Sequence, residues 1–291
     1  MPVVAVARQH DKLGLAANVA ENIRAFGAQP FLASMIGEDR HAEEFLGLLK
    51  AAGIPAQNVF RHPGRRTTLK ERVVAQNQQV VRIDHEITAP LPSDLEDFFL
   101  DRVKPVLGDF DSLILEDYGK GLLTDRVLRE VIASARAAGK PVLVDPTTAV
   151  RSPEVYRGVT LFKPNQMEAE KLTGVEILAE ADLHRAGEKL MTLLGADNVI
   201  ITQGKEGMTL FGKSVRPKKI PAFTRAVYDV SGAGDTVISL LSLALAADAT
   251  MEEAALLANF AAGVEVGKPG TATVSLAELE TYMVQLGGLL G

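Results

Sequence analysis

The chain has no cysteine among its 291 residues. That removes disulfides, thiolate zinc sites and cysteine nucleophiles together and fits a reducing, cytoplasmic setting. Histidine is scarce: five residues form no HxxxH or HxH pair, so a histidine-built metal centre is not expected. A cationic surplus is lacking too, since 31 Lys and Arg face 37 Asp and Glu, and no local basic patch stands out to track a nucleic-acid backbone. There is no uncharged apolar run of about 18 residues to cross a bilayer, and the opening Met1 to Ala7 is too short for a secretory leader. Nucleic acid and membrane are therefore not expected partners.

What is present is an α/β pattern. Short β-branched runs at Ser112 to Leu115, Pro141 to Asp145, Val159 to Lys163 and Asn198 to Thr202 read as buried strands. Between them, Leu123 to Ala138 and Asp182 to Leu194 carry apolar residues at three- and four-residue spacing. The alternation predicts a mostly parallel sheet with helices on both faces, in one domain over 1–291. The stretch Thr67 to Asp84 differs: its many polar positions and a turn near Gln76 to Gln79 predict a half-exposed hairpin outside the main core. Gly232 to Ala247 and Met251 to Gly267 read as small-residue helices that approach each other closely.

Two segments carry chemistry. In the first, Asp229-Val-Ser-Gly-Ala-Gly-Asp235-Thr236 runs directly into an apolar helix. Glycines before a helix leave N–H groups unpaired at its positive end, which suits a phosphate. A carboxylate in that first turn would repel a merely bound anion. It makes sense if Asp235 takes a proton from a hydroxyl attacking the phosphate, although Asp235 as a simple dipole-stabilising residue accounts for the sequence almost equally well. In the second, Lys163-Pro164-Asn165-Gln166-Met167-Glu168 follows a predicted strand. Asn165 and Glu168 have the spacing of a capping box, and at the carboxyl edge of a sheet the same pair could organise hydrated Mg²⁺ and ATP phosphates. The run from Thr202 through Gly204 to Gly207 either approaches a nucleotide or is an ordinary loop into a strand at Met208 to Phe211.

In this order and spacing the pieces resemble the ribokinase-like (PfkB) family of carbohydrate kinases, whose most specific signature is present as Gly232-Ala233-Gly234-Asp235. Gly14-Leu-Ala-Ala-Asn18, Thr68-Leu-Lys70-Glu-Arg72, Val81-Arg82-Ile-Asp84, Glu116-Asp117-Tyr-Gly-Lys120 and Val142-Leu-Val-Asp145-Pro are similar to its D-glycero-β-D-manno-heptose 7-phosphate kinases, found alone or as half of bifunctional ADP-heptose synthases.

The resemblance implies a three-layer α/β/α sandwich with a small β lid from about 2–6 and 67–84. It implies transfer of the ATP γ-phosphate to the anomeric hydroxyl of the heptose 7-phosphate, with Asp235 as base, the N–H groups of Gly232, Ala233 and Gly234 as anion hole, and Glu168 on magnesium. Asn165, Glu168, Thr202, Gly204, Gly207, Asn259 and Gly270 would hold ATP. Asn18, Asp117 and Lys120 would lie on the sugar side, with Lys70, Arg72 and Arg82 meeting the 7-phosphate, and two copies would form a homodimer through the lid. Two departures stand out. The family's opening strand and its aspartate do not precede Pro2 to Val6, where its first lid strand would fall, and Leu15 stands where the family usually has glycine. A kinase for another sugar or sugar phosphate, or a catalytically impaired nucleotide-binding remnant, is the alternative.

Overall fold

The computed structural model describes residues 3, 5–75, 78–147, 151–213, 216–223, 228–268 and 270–290. The first part runs α1 (Ala16–Ala25), β1 (Ser34–Ile36), α2 (Arg40–Ala51), β2 (Val59–Arg61), β3 (Leu69–Ala75) and β4 (Gln78–His85). Next come α3 (Ser93–Val103), β5 (Leu113–Glu116), α4 (Asp125–Ala137), β6 (Val142–Asp145), β7 (Leu161–Phe162), α5 (Gln166–Thr173) and α6 (Glu180–Leu194). The remainder is β8 (Asn198–Thr202), β9 (Met208–Gly212), β10 (Lys218–Ile220), α7 (Ala233–Ala246), α8 (Met251–Glu265) and α9 (Leu276–Leu290).

Six strands form the main sheet in the order β10-β9-β8-β7-β6-β5. The pairs from β5 to β8 are parallel, and β9 and β10 add an antiparallel edge. Period-two alternation then sorts the side chains into two cores. Val142, Val144, Phe162, Val199, Ile201 and Phe211 join α3, α4 and α6 through Phe99, Leu128 and Leu190. Their neighbours Leu143, Leu161, Ile200 and Leu210 join α7 and α8 through Ile238, Leu241 and Ala258. Each large apolar side chain so buried contributes about 1.5–3 kcal/mol, which is why strands of two to five residues suffice here. β7 is shorter than the expected Val159 to Lys163, yet Thr160 and Lys163 still donate N–H bonds to Val142 and Val144 on β6. A third core joins α1 and α2 to the parallel pair β1–β2.

β3 and β4 pair with each other and with no third described strand. Gln76 and Asn77, inside the expected turn, lie outside the described residues. The register places Arg72 opposite Arg82 and Lys70 opposite Asp84 on one face, while Val73, Val81 and Ile83 share the other. The expected lid strand over 2–6 is not found among the described residues. Val3, Ala5 and Val6 are exposed and form no ladder, because neither strand of the hairpin takes them as a partner, and Pro2 and Val4 lie outside the description.

Behind the hairpin the chain is fastened to the loop after β5. Leu91 N–H donates to the Gly121 carbonyl across 3.0 Å. Gly121 has φ +80°, and a Cβ there would overlap the Ala89 carbonyl, so only glycine allows the contact. Arg65 spans the same seam, donating to the carbonyls of Ala89 and Lys120.

Candidate active site

Three adjacent strands of the main sheet end in charge. Glu116 closes β5, Asp145 closes β6 in direct register with it, and Lys163 follows β7. Carboxyl ends of parallel strands are where α/β sheets present ligands. Opposite them Gly232 caps the start of α7, and its φ of 96° turns the chain so that Asp235 falls in the first helical turn. Glu116, Asp145 and Asp235 each bring a carboxylate oxygen within 4.8 Å of the others.

Lys163 is buried and pairs with Asp145 across 2.8 Å. Burial disfavours its ammonium, but Asp145, Glu116 and Glu168 outweigh that and hold it protonated. Burial also raises Asp145 and Glu116, and for Glu116 the charges of Asp145 and Asp235 add to the effect. Glu116 Oε1 is buried without a hydrogen-bond partner among the described residues. Four carboxylates, counting Glu168, thus face one ammonium. Such a set repels a polyphosphate unless a hard cation neutralises it, and its oxygen donors suit Mg²⁺.

Asp235 is better served. Asn18 Nδ2 donates to Oδ2 at 2.6 Å and Tyr118 Oη to Oδ1 at 3.2 Å. Burial raises the Asp235 carboxyl; Asn18, Lys163 and Tyr118 oppose the rise while Asp145 adds to it. Asn18 is held from below, since Asn22 donates to its carbonyl at 2.9 Å and Thr236 donates to Asn22 Oδ1 at 3.2 Å. Leu15, just before α1, has φ 56° and ψ −139°, a conformation that costs an L-residue free energy.

Behind the glycine turn lies Glu265, 0% exposed, with neither carboxyl oxygen hydrogen-bonded among the described residues. A Cβ on Gly232 would stand 3.1 Å from its Oε1. Burial pushes the Glu265 carboxyl up to about 7; the charges of Asp229 and Asp235 add to this and the nearby Ala272 N–H and Lys268 oppose it.

Asn165 and Glu168 form a complete capping box on α5, with Glu168 Oε2 accepting from Asn165 N–H at 2.8 Å and Asn165 Oδ1 from Glu168 N–H at 2.9 Å. Asn165 also bridges Thr202 in the sheet direction, which gathers these three at one edge. Gly204 and Gly207 make the turn from β8 to β9. Gly270 N–H donates to Asp229 Oδ2 and Ser231 N–H to its other oxygen, tying the 270 loop to the glycine turn. Asn259 uses its side-chain amide on the Pro221 carbonyl. Asp117 is buried and engaged by Gly119 N–H, Tyr156 Oη and Arg151, an arrangement that braces the loop.

Lys120 and Lys70 meet instead at Glu86, Arg82 pairs with Asp84, and Arg72 has no ion pair among the described residues. These cations form a second group, and the backbone from Lys120 to Tyr118 connects it to Asp235. Sequence reasoning passed over Glu116, Tyr118, Asp145, Lys163, Glu86 and Glu265 as site residues. For three of them a signal existed: Leu-Ile-Leu-Glu116, Val-Leu-Val-Asp145 and Leu-Phe-Lys163 are apolar strands that each stop on a charge.

A family model described as pfkB family carbohydrate kinase matches residues 6–278. A "Bifunctional protein HldE" from Trichlorobacter lovleyi is 43% identical over 277 residues, 95% of this chain and 56% of that protein. Its namesake from Wolinella succinogenes is 40% identical, over 97% of this chain and 58% of that protein. The chain therefore spans a little over half the length of these relatives. In shape it is similar to Arabidopsis thaliana ribokinase complexed with ribose and ATP, at TM-score 0.75 and 19% identity over 91% of this chain and 85% of that one. Escherichia coli phosphofructokinase-2 in complex with substrates and products gives TM-score 0.73 and 21% identity, over 94% and 88%. The fold is ribokinase-like.

Proposed function

Because the chain belongs to the pfkB family of carbohydrate kinases, we propose that it transfers the γ-phosphoryl group of ATP to the anomeric hydroxyl of D-glycero-β-D-manno-heptose 7-phosphate. The product is the 1,7-bisphosphate of ADP-heptose and lipopolysaccharide core synthesis. The observation that carries the reading is Asp235 itself, a partly exposed carboxylate in the first turn of α7, oriented by Asn18 and Tyr118.

In the step proposed, the acceptor oxygen forms its bond to the γ-phosphorus while the bond to the ADP oxygen breaks, and the hydroxyl proton passes to Asp235. The N–H groups of Gly232, Ala233 and Gly234, at the positive end of α7, stabilise charge on the moving phosphoryl group. Asn18 fixes the direction of the accepting carboxylate. Lys163 supplies a permanent positive charge beside Asp145. Glu116 and Asp145, with Glu168 near, would hold magnesium, which when bound neutralises phosphate charge. Asn165, Thr202, Gly204, Gly207, Asn259 and Gly270 are proposed to line the nucleotide side, and Lys70, Arg72, Arg82 and Lys120 the side of the acceptor's distal phosphate, with Asp117 shaping the loop between.

Two further readings go with this one. The exposed apolar face of the hairpin, with Val81 and Ile83 45% and 44% exposed, supports a homodimer through the lid. A cytoplasmic location suits an ATP-using enzyme without cysteine.

The test is a transfer assay on the purified chain with ATP, heptose 7-phosphate, hexose 6-phosphates and unphosphorylated sugars. Heptose 1,7-bisphosphate as the preferred product is expected. Preference for a hexose phosphate would overturn the acceptor assignment, and no transfer to any sugar would overturn the kinase reading.

A further inference from the structure

Glu86, just beyond β4, offers its two oxygens to two different ammonium groups: Oε1 takes Lys120 Nζ at 2.6 Å and Oε2 takes Lys70 Nζ at 3.2 Å. The lysines come from separate parts of the chain, the hairpin and the loop after β5, so this one carboxylate is what gathers them. Only 17% of its side chain is exposed. Burial alone would raise the Glu86 carboxyl, but the bonds from Lys120 and Lys70 hold it below the usual carboxylate range, so it stands as an anion at neutral pH.

The surroundings suit a larger anion than the one present. Arg72 lies directly opposite Arg82 on the face that carries Lys70. Like charges so paired are destabilising, and a bound anion relieves them. Arg82 and Lys70 share Asp84, whereas Arg72 has no ion pair among the described residues. Arg65 is unavailable as a ligand, because its guanidinium is spent on the carbonyls of Ala89, Ile87 and Lys120.

We propose that Glu86 is a resident anion that holds the place of the acceptor's distal phosphate, so that a phosphorylated acceptor enters by exchange for it. The inference rests on the sugar-phosphate kinase reading and deepens it. A phosphate dianion offers two ammonium groups the same paired oxygens as the carboxylate, with more charge and a third oxygen for Arg72. A neutral sugar offers nothing to exchange, and Lys70 and Lys120 stay with Glu86. Discrimination for a phosphate-bearing acceptor thus arises from a competitor built into the chain as well as from attraction. Lys120 is two residues from Tyr118, which donates to Asp235.

The test compares wild type with Glu86→Gln, which keeps the shape and removes the charge. With inorganic phosphate as probe, calorimetry should show Kd about tenfold lower in the variant, and KM for heptose 7-phosphate should fall by a similar factor, since a competing charge at contact distance is gone. KM for ATP should not change. The double variant Glu86→Gln with Lys70→Met should lose the gain. Phosphate affinity unchanged or weaker in Glu86→Gln, with an unaltered melting curve, would overturn the proposal and make Glu86 a positioning residue. Should Glu86→Gln fold poorly, Glu86→Asp is too short to bridge both lysines and should strengthen phosphate binding by about threefold; no change there also overturns it. The phosphate measurement needs no turnover, so it decides the role of Glu86 even if heptose 7-phosphate is not the acceptor.

Discussion

Asn18 and Asp235, 217 positions apart in the chain, are joined by a 2.6 Å hydrogen bond from the Asn18 amide to one carboxylate oxygen. The bond favours the ionised carboxylate, which is the form able to accept a proton, and it counters the burial that raises Asp235. Asp235→Asn should lower kcat by about 10²-fold or more with ATP binding retained. Asn18→Ala should raise the Asp235 pKa further, so the acid limb of kcat/KM moves to higher pH. A lower plateau with the limb unmoved would show that Asn18 only packs.

Magnesium dependence should separate two carboxylates. Glu116→Gln should raise the magnesium concentration for half-maximal activity by about tenfold, as expected when a direct oxygen ligand is lost. Glu168→Gln should raise it less and should cost helix stability as well, because one Glu168 oxygen is already engaged by the Asn165 N–H. Titration of activity against magnesium in both variants checks this; a larger effect at Glu168 would reverse the assignment.

Glu265 carries a pH signature. Its carboxyl is raised from an ordinary 4.5 to about 7, so between those values the folded chain binds more protons than the unfolded one. Its contribution to stability is therefore fully present below about 4.5 and lost as pH rises through about 7. Glu265→Gln should remove that loss and stabilise the protein by about 1–3 kcal/mol at pH 8, with little effect at pH 4.5. Denaturant melts at the two pH values provide the comparison, and equal differences at both would mean that the carboxyl does not titrate as described.

Leu15 sits in a backbone region that glycine enters freely. Leu15→Gly should relieve about 1 kcal/mol or more of strain, partly offset by the flexibility glycine adds to the unfolded chain. A melting temperature that rises or holds is expected; a clear fall would show that the leucine side chain earns its place by packing.

The hairpin predicts assembly. Wild type should have a dimeric mass by light scattering at micromolar concentration, and Val81→Lys with Ile83→Lys should be monomeric. A monomeric wild type would remove the lid interface.

Much of this was readable in the chain because it is local. The glycine turn before Asp235, the Asn165–Glu168 box and the existence of the hairpin are all set by neighbours in sequence, and the alternation of strand and helix suffices for the layers. What escaped is convergent. Glu116 and Asp145 meet only through strand register, and Lys163 joins them from the strand beyond. No short window contains two of these three. Asp117 is buried against the Gly119 N–H and the Tyr156 hydroxyl, and spacing alone does not distinguish an inward carboxylate from an outward one. Glu265 gave no warning, as one acidic residue at the end of an alanine-rich helix ordinarily faces water.

The seam at Gly121 has a mechanical consequence. With Leu91 bonded to Gly121, no room for even a methyl group against Ala89, and Arg65 stitched across both strands of the seam, the exit of the hairpin cannot slide past the loop that carries Tyr118 and Lys120. The seam thus ties the base of the hairpin to the loop whose Tyr118 hydroxyl donates to Asp235. Substitution of Gly121 by alanine would break the close contact with Ala89 and leave the Arg65 bonds as a remaining tie across the seam.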